Sequence, residues 1–399
     1  MCVKFIEGSC IPEHNFNVEL FDKLLPDLRN ADCLILNGIG EPLIHPELLR
    51  FIQNARKHMK NREISFQSNG LLLTEQRAES LLHAGLSSIC LSVDLLDKQD
   101  GEHSFIAINK AVSILEKSRS KNNPNFKIGL ETVVSTTNYT AIPELIRWAC
   151  DNKIDYVLVS HLIRYDEGSE NADLFNPNSH SSVFLYEKYK KRAEREGINF
   201  DDAQKRYRIS YDVELSKTET SLFKDLRDEA HKLDIRMNIP NLIERDKACQ
   251  GVEHYFHQAQ DIADKHGLTL DLPPLHALDE RRCKFMEDKA VCITAEGEVT
   301  PCHYLWHTYS CRVHQEEVKV QKRSFGHLEN MSLQEIWQTP SYKAFRKEAQ
   351  EYQYTHCWNC TQGPCPDLVS ADTDLGHDCY GSNVPCGHCQ WNLGGVRCL

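Results

Sequence analysis

Thiols at short spacing are the groups in this chain best suited to do chemistry. There are 17 cysteines, and 11 of them fall between Cys283 and Cys398. The stretch "CKFMEDKAVCITAEGEVTPC" leaves 13 residues between Cys283 and Gly297 and four between Gly297 and Cys302, with Cys292 as an extra thiol inside. "CWNCTQGPC" supplies Cys357, Cys360 and Cys365; "DCYGSNVPCGHC" supplies Cys379, Cys386 and Cys389; Cys398 stands next to the last residue. Each C-x2-C pair holds two thiolates on a tight turn, where they can chelate one metal centre. Nothing at the front reads as a signal peptide, so disulfides are not expected, and clustered thiols in a reducing compartment point to metal or iron–sulfur ligation. With Cys292 the candidate thiols number ten, more than two four-thiolate centres need, so not all can be ligands at once. Structural zinc is the alternative, with Cys357 and Cys360 joining Cys386 and Cys389 at a spacing near that of a zinc ribbon. Cys33, Cys90 and Cys150 fall on predicted strands or helices and are read as core residues.

The front of the chain must position whatever these centres serve. Residues 1–161 repeat one pattern, a short apolar run followed by a turn and an amphipathic stretch. The runs are "CLILNG" (33–38), "EISFQS" (63–68), "SICLSV" (88–93), "FKIGLETVV" (126–134) and "IDYVLVS" (154–160). Near-continuous apolar strands alternating with helices predict a parallel sheet of βα units. "NVELFDKLLPDL" (17–28) predicts a helix ahead of the first of these strands, so the pattern starts on a helix and a strand is missing in front. Residues 162–282 read as the end of the sheet with a charged helical insertion whose charge is a solvated face; "DIRMNIP" could add a strand. Residues 283–399 read as a cysteine-rich part, sparse in regular structure apart from the Ser-capped "SLQEIWQTPSYKAFRKEAQ". So short and polar a segment is expected to lean on metal centres rather than on an apolar core of its own.

In parallel α/β folds ligands gather at the carboxyl ends of strands. Four such ends here carry small polar residues: "LNGIGEP" with Gly38, Gly40, Glu41 and Pro42; "QSNG" with Ser68 and Asn69; "SVD" with Ser92 and Asp94; and "SHLIRY" with His161. Singly each is a turn or a solvent-facing polar group; four in order are hard to assign to chance.

These motifs resemble the radical S-adenosyl-L-methionine (SAM) enzymes, and the cysteine-rich end resembles that family's SPASM extension, which binds auxiliary iron–sulfur clusters. The resemblance implies an α/β fold: a partial (β/α)6 parallel barrel lacking its first strand, with a helical insertion and a small iron–sulfur domain. It implies SAM and [4Fe–4S] clusters as cofactors. One cluster, held by C-x3-C-x2-C, chelates SAM. Met1-Cys2 fits the third cysteine of that motif, which leaves two cysteines upstream and the SAM cluster incomplete in the chain as it stands. The resemblance assigns Gly38–Pro42 to the SAM amino group, and Ser68, Asn69, Ser92 and Asp94 to its ribose or carboxylate. Glu131 joins them if the strand register is favourable. His161 either touches SAM or substrate or is a satisfied strand-end group. The auxiliary ligands are to be drawn from Cys283, Cys302, Cys357, Cys360, Cys365, Cys379, Cys386, Cys389 and Cys398.

The implied chemistry is one-electron cleavage of SAM and hydrogen abstraction from a protein, peptide or pterin-cofactor substrate, with ferredoxin or flavodoxin as electron donor. The tail and "VSHLIRY" are similar to maturases of tungsten- or molybdenum-pterin aldehyde:ferredoxin oxidoreductases. Modification of a ribosomal peptide is a second outcome of the same chemistry. A third is an electron carrier whose SAM site is dead. A net charge of −12 argues against nucleic acid, no apolar run is long enough for a bilayer, and cytoplasm is the default.

Overall fold

The computed structural model describes residues 3–5, 11–93, 101–165, 172–209, 215–313, 316–354, 357 and 381–396. Five strands follow the repeat read from the sequence: β1 (Cys33–Ile35), β2 (Glu63–Ser68), β3 (Ser88–Ser92), β4 (Lys127–Val134) and β5 (Tyr156–His161). Helices α1 (Val18–Leu24), α2 (Leu48–His58), α3 (Glu75–Ala84), α4 (Gly101–Asn122) and α5 (Ile142–Asp151) stand before and between them. Asn17 caps α1 through its side-chain oxygen, which accepts from the Glu19 and Leu20 amides. β6 (Asn176–Ser179) leaves the sheet, and helices α6 (His180–Arg195), α7 (Phe200–Ile209), α8 (Lys217–Lys232) and α9 (Ile239–His266) follow. The sheet then takes its sixth strand, β7 (Thr269–Asp271), in the order β1-β2-β3-β4-β5-β7 with every pair parallel. β8 (His276–Ala277) pairs with β6.

The two faces of the sheet differ in chemistry. Ile64, Phe66, Ile89, Leu91, Ile128, Leu130, Val157 and Val159 are all fully buried against the helices. Residues in register on the opposite face are mostly polar: Ser65 and Gln67, Ser88, Cys90 and Ser92, Gly129 and Glu131, Tyr156. Parallel strands are usually apolar on both faces. A polar inner face is therefore costly unless it has something to bind. Gly129 makes room in it. A Cβ there would lie 2.1 Å from the Tyr156 ring. Gly129→Ala should lose about 2–3 kcal/mol of stability, read by urea unfolding, because the half-buried Tyr156 ring fills the space and the central strand that carries Gly129 cannot give way.

The last segment has more structure than its composition suggests. α10 (Lys284–Glu287), the β9 (Cys292–Ile293) and β10 (Val299–Thr300) pair, the antiparallel hairpin β11 (Tyr309–Val313) and β12 (Glu316–Val320), and helices α11 (Leu333–Gln338) and α12 (Pro340–Glu351) make it up. Ser332 and Glu335 form the capping box of α11. An apolar core was not expected here, yet one exists. Leu305, Ile336 and Tyr342 are buried in it, and Leu20 and Leu24 of α1 complete it from the front of the chain. The helix supplies the apolar surface that the segment lacks. Gly297 marks the contact: its φ is +96°, and a Cβ would lie 2.7 Å from Leu20. Lys23 Nζ donates to the Glu329 carbonyl at 3.0 Å across the same seam.

Two further expectations are corrected. "DIRMNIP" forms no strand; residues 235–238 run without regular structure into α9, and side chains take up their backbone groups instead: Asn178 Oδ1 accepts from the Asn238 amide, and Ser182 Oγ donates to the Arg236 carbonyl. Cys33 is exposed rather than part of the core, since β1 is the edge of the sheet; Cys90 is buried and Cys150 half-buried. α6, α7 and α8 close a separate apolar cluster around Tyr186, Phe200, Leu222 and Phe223, with ion pairs such as Lys188–Glu229 on their outer faces.

Candidate functional site

At the carboxyl end of the sheet the polar motifs are tied to one another. Glu41 is the hub. Its Oε1 accepts from the Leu43 amide at 3.0 Å and from Ser68 Oγ at 2.8 Å, and its Oε2 accepts from the Asn69 amide at 2.9 Å. Ser68 Oγ in turn accepts from the Gly70 amide at 3.0 Å. The carboxylate thus locks the loop after β1 to the loop after β2. Next to it, the Gln67 amide donates to Asn37 Oδ1 at 2.7 Å, and Gln67 Nε2 donates to Ser92 Oγ at 2.9 Å. Gly38 and Gly40 are exposed, and a Cβ on either would meet open space. The loop therefore presents bare backbone, as a ligand's polar head would need. Pro42 opens a short 3₁₀ turn over residues 42–44 that Glu41 caps.

Strand alternation separates these residues by task. Ser68 is buried on the helix side and holds the loop, whereas Gln67 and Ser92 face inward. Gln67 and Asn37 were not singled out from the sequence, although the two-residue period of β2 would have found Gln67. Asp94 and Cys2 lie outside the described residues.

Glu131 stands beside Ser92 in register on the inner face, and its Oε2 has no hydrogen-bond partner among the described residues. Burial pushes its carboxyl from the ordinary 4.5 up to about 7. A native pKa above the unfolded one means the folded chain binds the extra proton. Stability should therefore fall as pH rises from about 4.5 through 7, by on the order of 3 kcal/mol once both are passed. In ligand-free protein, Glu131→Gln should abolish that slope and be the more stable form at pH 8. Chemical denaturation at several pH values checks both.

His161, at the end of β5, is buried. Its Nε2 lies 2.9 Å from the Pro274 carbonyl, its amide donates to the Gly395 carbonyl at 3.3 Å, and its ring rests 5.5 Å from that of Phe175. It ties the mouth of the sheet to the chain before β8 and to the C-terminal turn.

The second site is built from thiols. Cys283, Cys302, Cys386 and Cys389 line one small cavity, walled by Met286, Leu305, Phe345 and Trp391. They come from four places: the start of α10, the turn after β10, and both ends of a C-x2-C turn. Backbone N–H groups aim at the sulfurs: those of Phe285 and Met286 at Cys283, that of Leu305 at Cys302, and those of Trp391 and Asn392 at Cys389. The Tyr354 hydroxyl lies between the Cys386 sulfur and the Ala349 carbonyl. Burial pushes all four thiols up, and Cys302, Cys386 and Cys389 go well above the usual thiol range as their neighbours' charge adds to it. Four crowded thiols ringed by N–H donors ionise together only around a cation. Among the described residues no three ligand-type side chains close on a point that would hold a single ion. Zinc asks for four sulfurs about 2.3 Å from one centre. A cubane spreads its irons, so thiols around a cavity fit it better.

Cys292 lies beside this set, acting on Cys302. Cys357 is half-buried nearby, while Cys360, Cys365, Cys379 and Cys398 lie outside the described residues. Cys311, which no spacing singled out, is buried on β11 two residues from Tyr309.

Residues 283–361 match the SPASM family, described as an iron-sulfur cluster-binding domain. A tungsten-containing aldehyde ferredoxin oxidoreductase cofactor-modifying protein of Pyrococcus furiosus is 24% identical over 395 residues, covering 97% of this chain and 89% of that one. The last segment thus carries a SPASM-type iron–sulfur domain, and the chain as a whole is similar to that cofactor-modifying protein along nearly its full length. A GTP 3',8-cyclase of Clostridium botulinum is 33% identical over 121 residues, 29% of this chain and 37% of the cyclase. The solved structure of Streptococcus suis SuiB bound to S-adenosylmethionine aligns with a TM-score of 0.46 at 13% identity, covering 92% of this chain and 70% of that one. Cys386 and Cys389 lie beyond the matched SPASM residues and still complete the thiol cavity.

Proposed function

We propose that this enzyme is a maturase that uses SAM-derived radical chemistry to modify the pterin-based cofactor of a tungsten or molybdenum oxidoreductase. The near full-length likeness to a cofactor-modifying protein supports this reading and carries it. When bound, SAM and its cluster supply the reductive C–S cleavage. The chain's own residues bind and orient. The backbone of Gly38–Pro42 meets the SAM head, and Glu41 and Ser68 hold that loop against Asn69. Ser92 and Glu131 face the ligand from the inner surface of the sheet. Asp94 and Cys2 are assigned to SAM and its cluster by resemblance, and His161 keeps the mouth of the sheet closed against the C-terminal turn.

A cluster held by these four thiolates would have no iron open for substrate. The centre formed by Cys283, Cys302, Cys386 and Cys389 is accordingly an electron carrier, fed by a ferredoxin or flavodoxin in the cytoplasm. The three-part organisation, residues 1–161, 162–282 and 283–399, separates SAM binding, insertion and electron entry. The test is anaerobic reconstitution with iron and sulfide, followed by assay for 5'-deoxyadenosine. The chain is then co-expressed with a tungsten- or molybdenum-pterin oxidoreductase whose cofactor is analysed by mass spectrometry. An unaltered pterin alongside a modified peptide would replace the cofactor by a peptide as substrate.

A further inference from the structure

One group of buried polar side chains belongs to neither site. His276, on β8, is 4% exposed, and neither of its ring nitrogens has a hydrogen-bond partner among the described residues. Asn176 stands beside it in register on β6 and is fully buried. Its Oδ1 accepts from the Asn178 amide at 3.0 Å, while its Nδ2 donates to nothing among the described residues. A buried donor without an acceptor is costly, so these orphans call for a ligand. The same strand pair ends where α6 begins. Ser179 lies beside Ala277 and caps the helix, its Oγ accepting from the Ser182 amide at 3.3 Å. α6 runs for 16 residues with no acidic side chain in its first turn. The amides of His180 and Ser181, at its start, have no intrahelical acceptor. The His180 ring, exposed to solvent, lies 4.6 Å from the ring of His276. Burial and this second imidazole pull the His276 pKa down to about 4, so its ring stands neutral with one N–H to give.

We propose that the start of α6, together with His276 and Asn176, binds the phosphate group of a small-molecule phosphomonoester. A helix N-terminus carries about half a positive charge and free N–H groups, which suits an anion. Phosphate brings three terminal oxygens, enough acceptors for the His180 and Ser181 amides, the Ser181 hydroxyl, His276 and Asn176 together. A carboxylate brings two and leaves donors unpaired. The exposed His180 side chain changes rotamer freely, and its ring swings aside to admit the ligand to the buried donors. The place in the fold fits a role in catalysis. His161, at the mouth of the sheet, lies against the Pro274 carbonyl, and His276 follows two residues later, at most about 7 Å along the chain. An ester anchored here lays its other end at that mouth. This last step rests on the enzyme reading above; the binding of phosphate does not.

The test is a calorimetric titration of the full chain, reconstituted anaerobically, with glycerol phosphate, inorganic phosphate and acetate at matched ionic strength near neutral pH. Glycerol phosphate and inorganic phosphate are expected to bind, and acetate to bind more weakly. His276→Gln should weaken the phosphate ligands about tenfold or more, the loss of a hydrogen bond to a charged acceptor. His180→Glu sets a carboxylate at the exposed start of the helix, where it favours the helix and repels an anion; a loss of at least about tenfold is expected there too. If His276→Gln does not fold, His180→Glu decides. Absence of glycerol phosphate binding by the wild type overturns the proposal, as does acetate binding as tightly as phosphate, or wild-type affinity in His180→Glu. Binding of inorganic phosphate without glycerol phosphate also overturns it, since the ligand would then be the free ion. A chain that binds the ester yet releases no 5'-deoxyadenosine keeps this site and loses the radical chemistry, so the two failures are told apart.

Discussion

Cys302→Ala, reconstituted beside the wild type, should come back short of about four irons per chain, with the C-terminal segment loosened. Cys302 is one of four thiols around a single cavity, and that cavity lies inside the apolar core of the segment. Losing one ligand leaves three thiols that stay protonated in a buried cavity, without the ligand set to hold a cluster. The expected cost is several kcal/mol, in the range of a lost structural metal site. Iron analysis measures the first effect; limited proteolysis between α10 and α12 measures the second. Cys292→Ala is the control. A full iron complement in Cys302→Ala, with the matching loss in Cys292→Ala, would mean that the wrong thiol of the pair had been assigned.

The next largest effect belongs to Glu41→Ala. Its carboxylate accepts three hydrogen bonds, two of them from the neighbouring strand end. Bonds to a charged acceptor contribute about 1.5–3 kcal/mol each, so removing both cross-links should cost about 3–5 kcal/mol. Ser68 Oγ and the Asn69 amide would be left to water. The bare backbone of Gly38 and Gly40 would lose its fixed geometry, and SAM binding should weaken by two orders of magnitude or more, read by calorimetry on the reconstituted chain. Glu41→Gln keeps one acceptor oxygen and should fall between. Equal SAM affinity in Glu41→Ala and wild type would show that the loop holds its shape without the hub.

Much of this was legible in the residues, and the limits have physical causes. Strands β2 to β5 were readable because each is a long apolar run bounded by turn residues. β7 is three residues, "TLD", too short for any periodicity to register. "DIRMNIP" has the alternation of a strand, but pairing needs an edge, and the sequence does not say where edges are. Cys386 and Cys389 announce themselves as a chelating turn. That they meet Cys283 and Cys302, far back along the chain, depends on how α10 and the turn after β10 pack, which no spacing encodes. Glu41 is readable as part of the Gly38–Pro42 loop assigned to SAM; its three bonds depend on the register of two loops brought together by the sheet. The polar inner face could have been found by counting alternate residues, and Gln67 is the residue such a count adds.

The late position of β7 has a consequence for how the chain acquires its shape. It pairs with β5 only after roughly a hundred intervening residues have left the ribosome, and non-local pairing of this kind is slow. During synthesis the flank of β5 stays open while the three-helix cluster of α6 to α8 matures by short-range contacts. The nascent protein thus passes through a stage with an unpaired hydrogen-bonding margin, where chaperone capture and misassembly compete with closure.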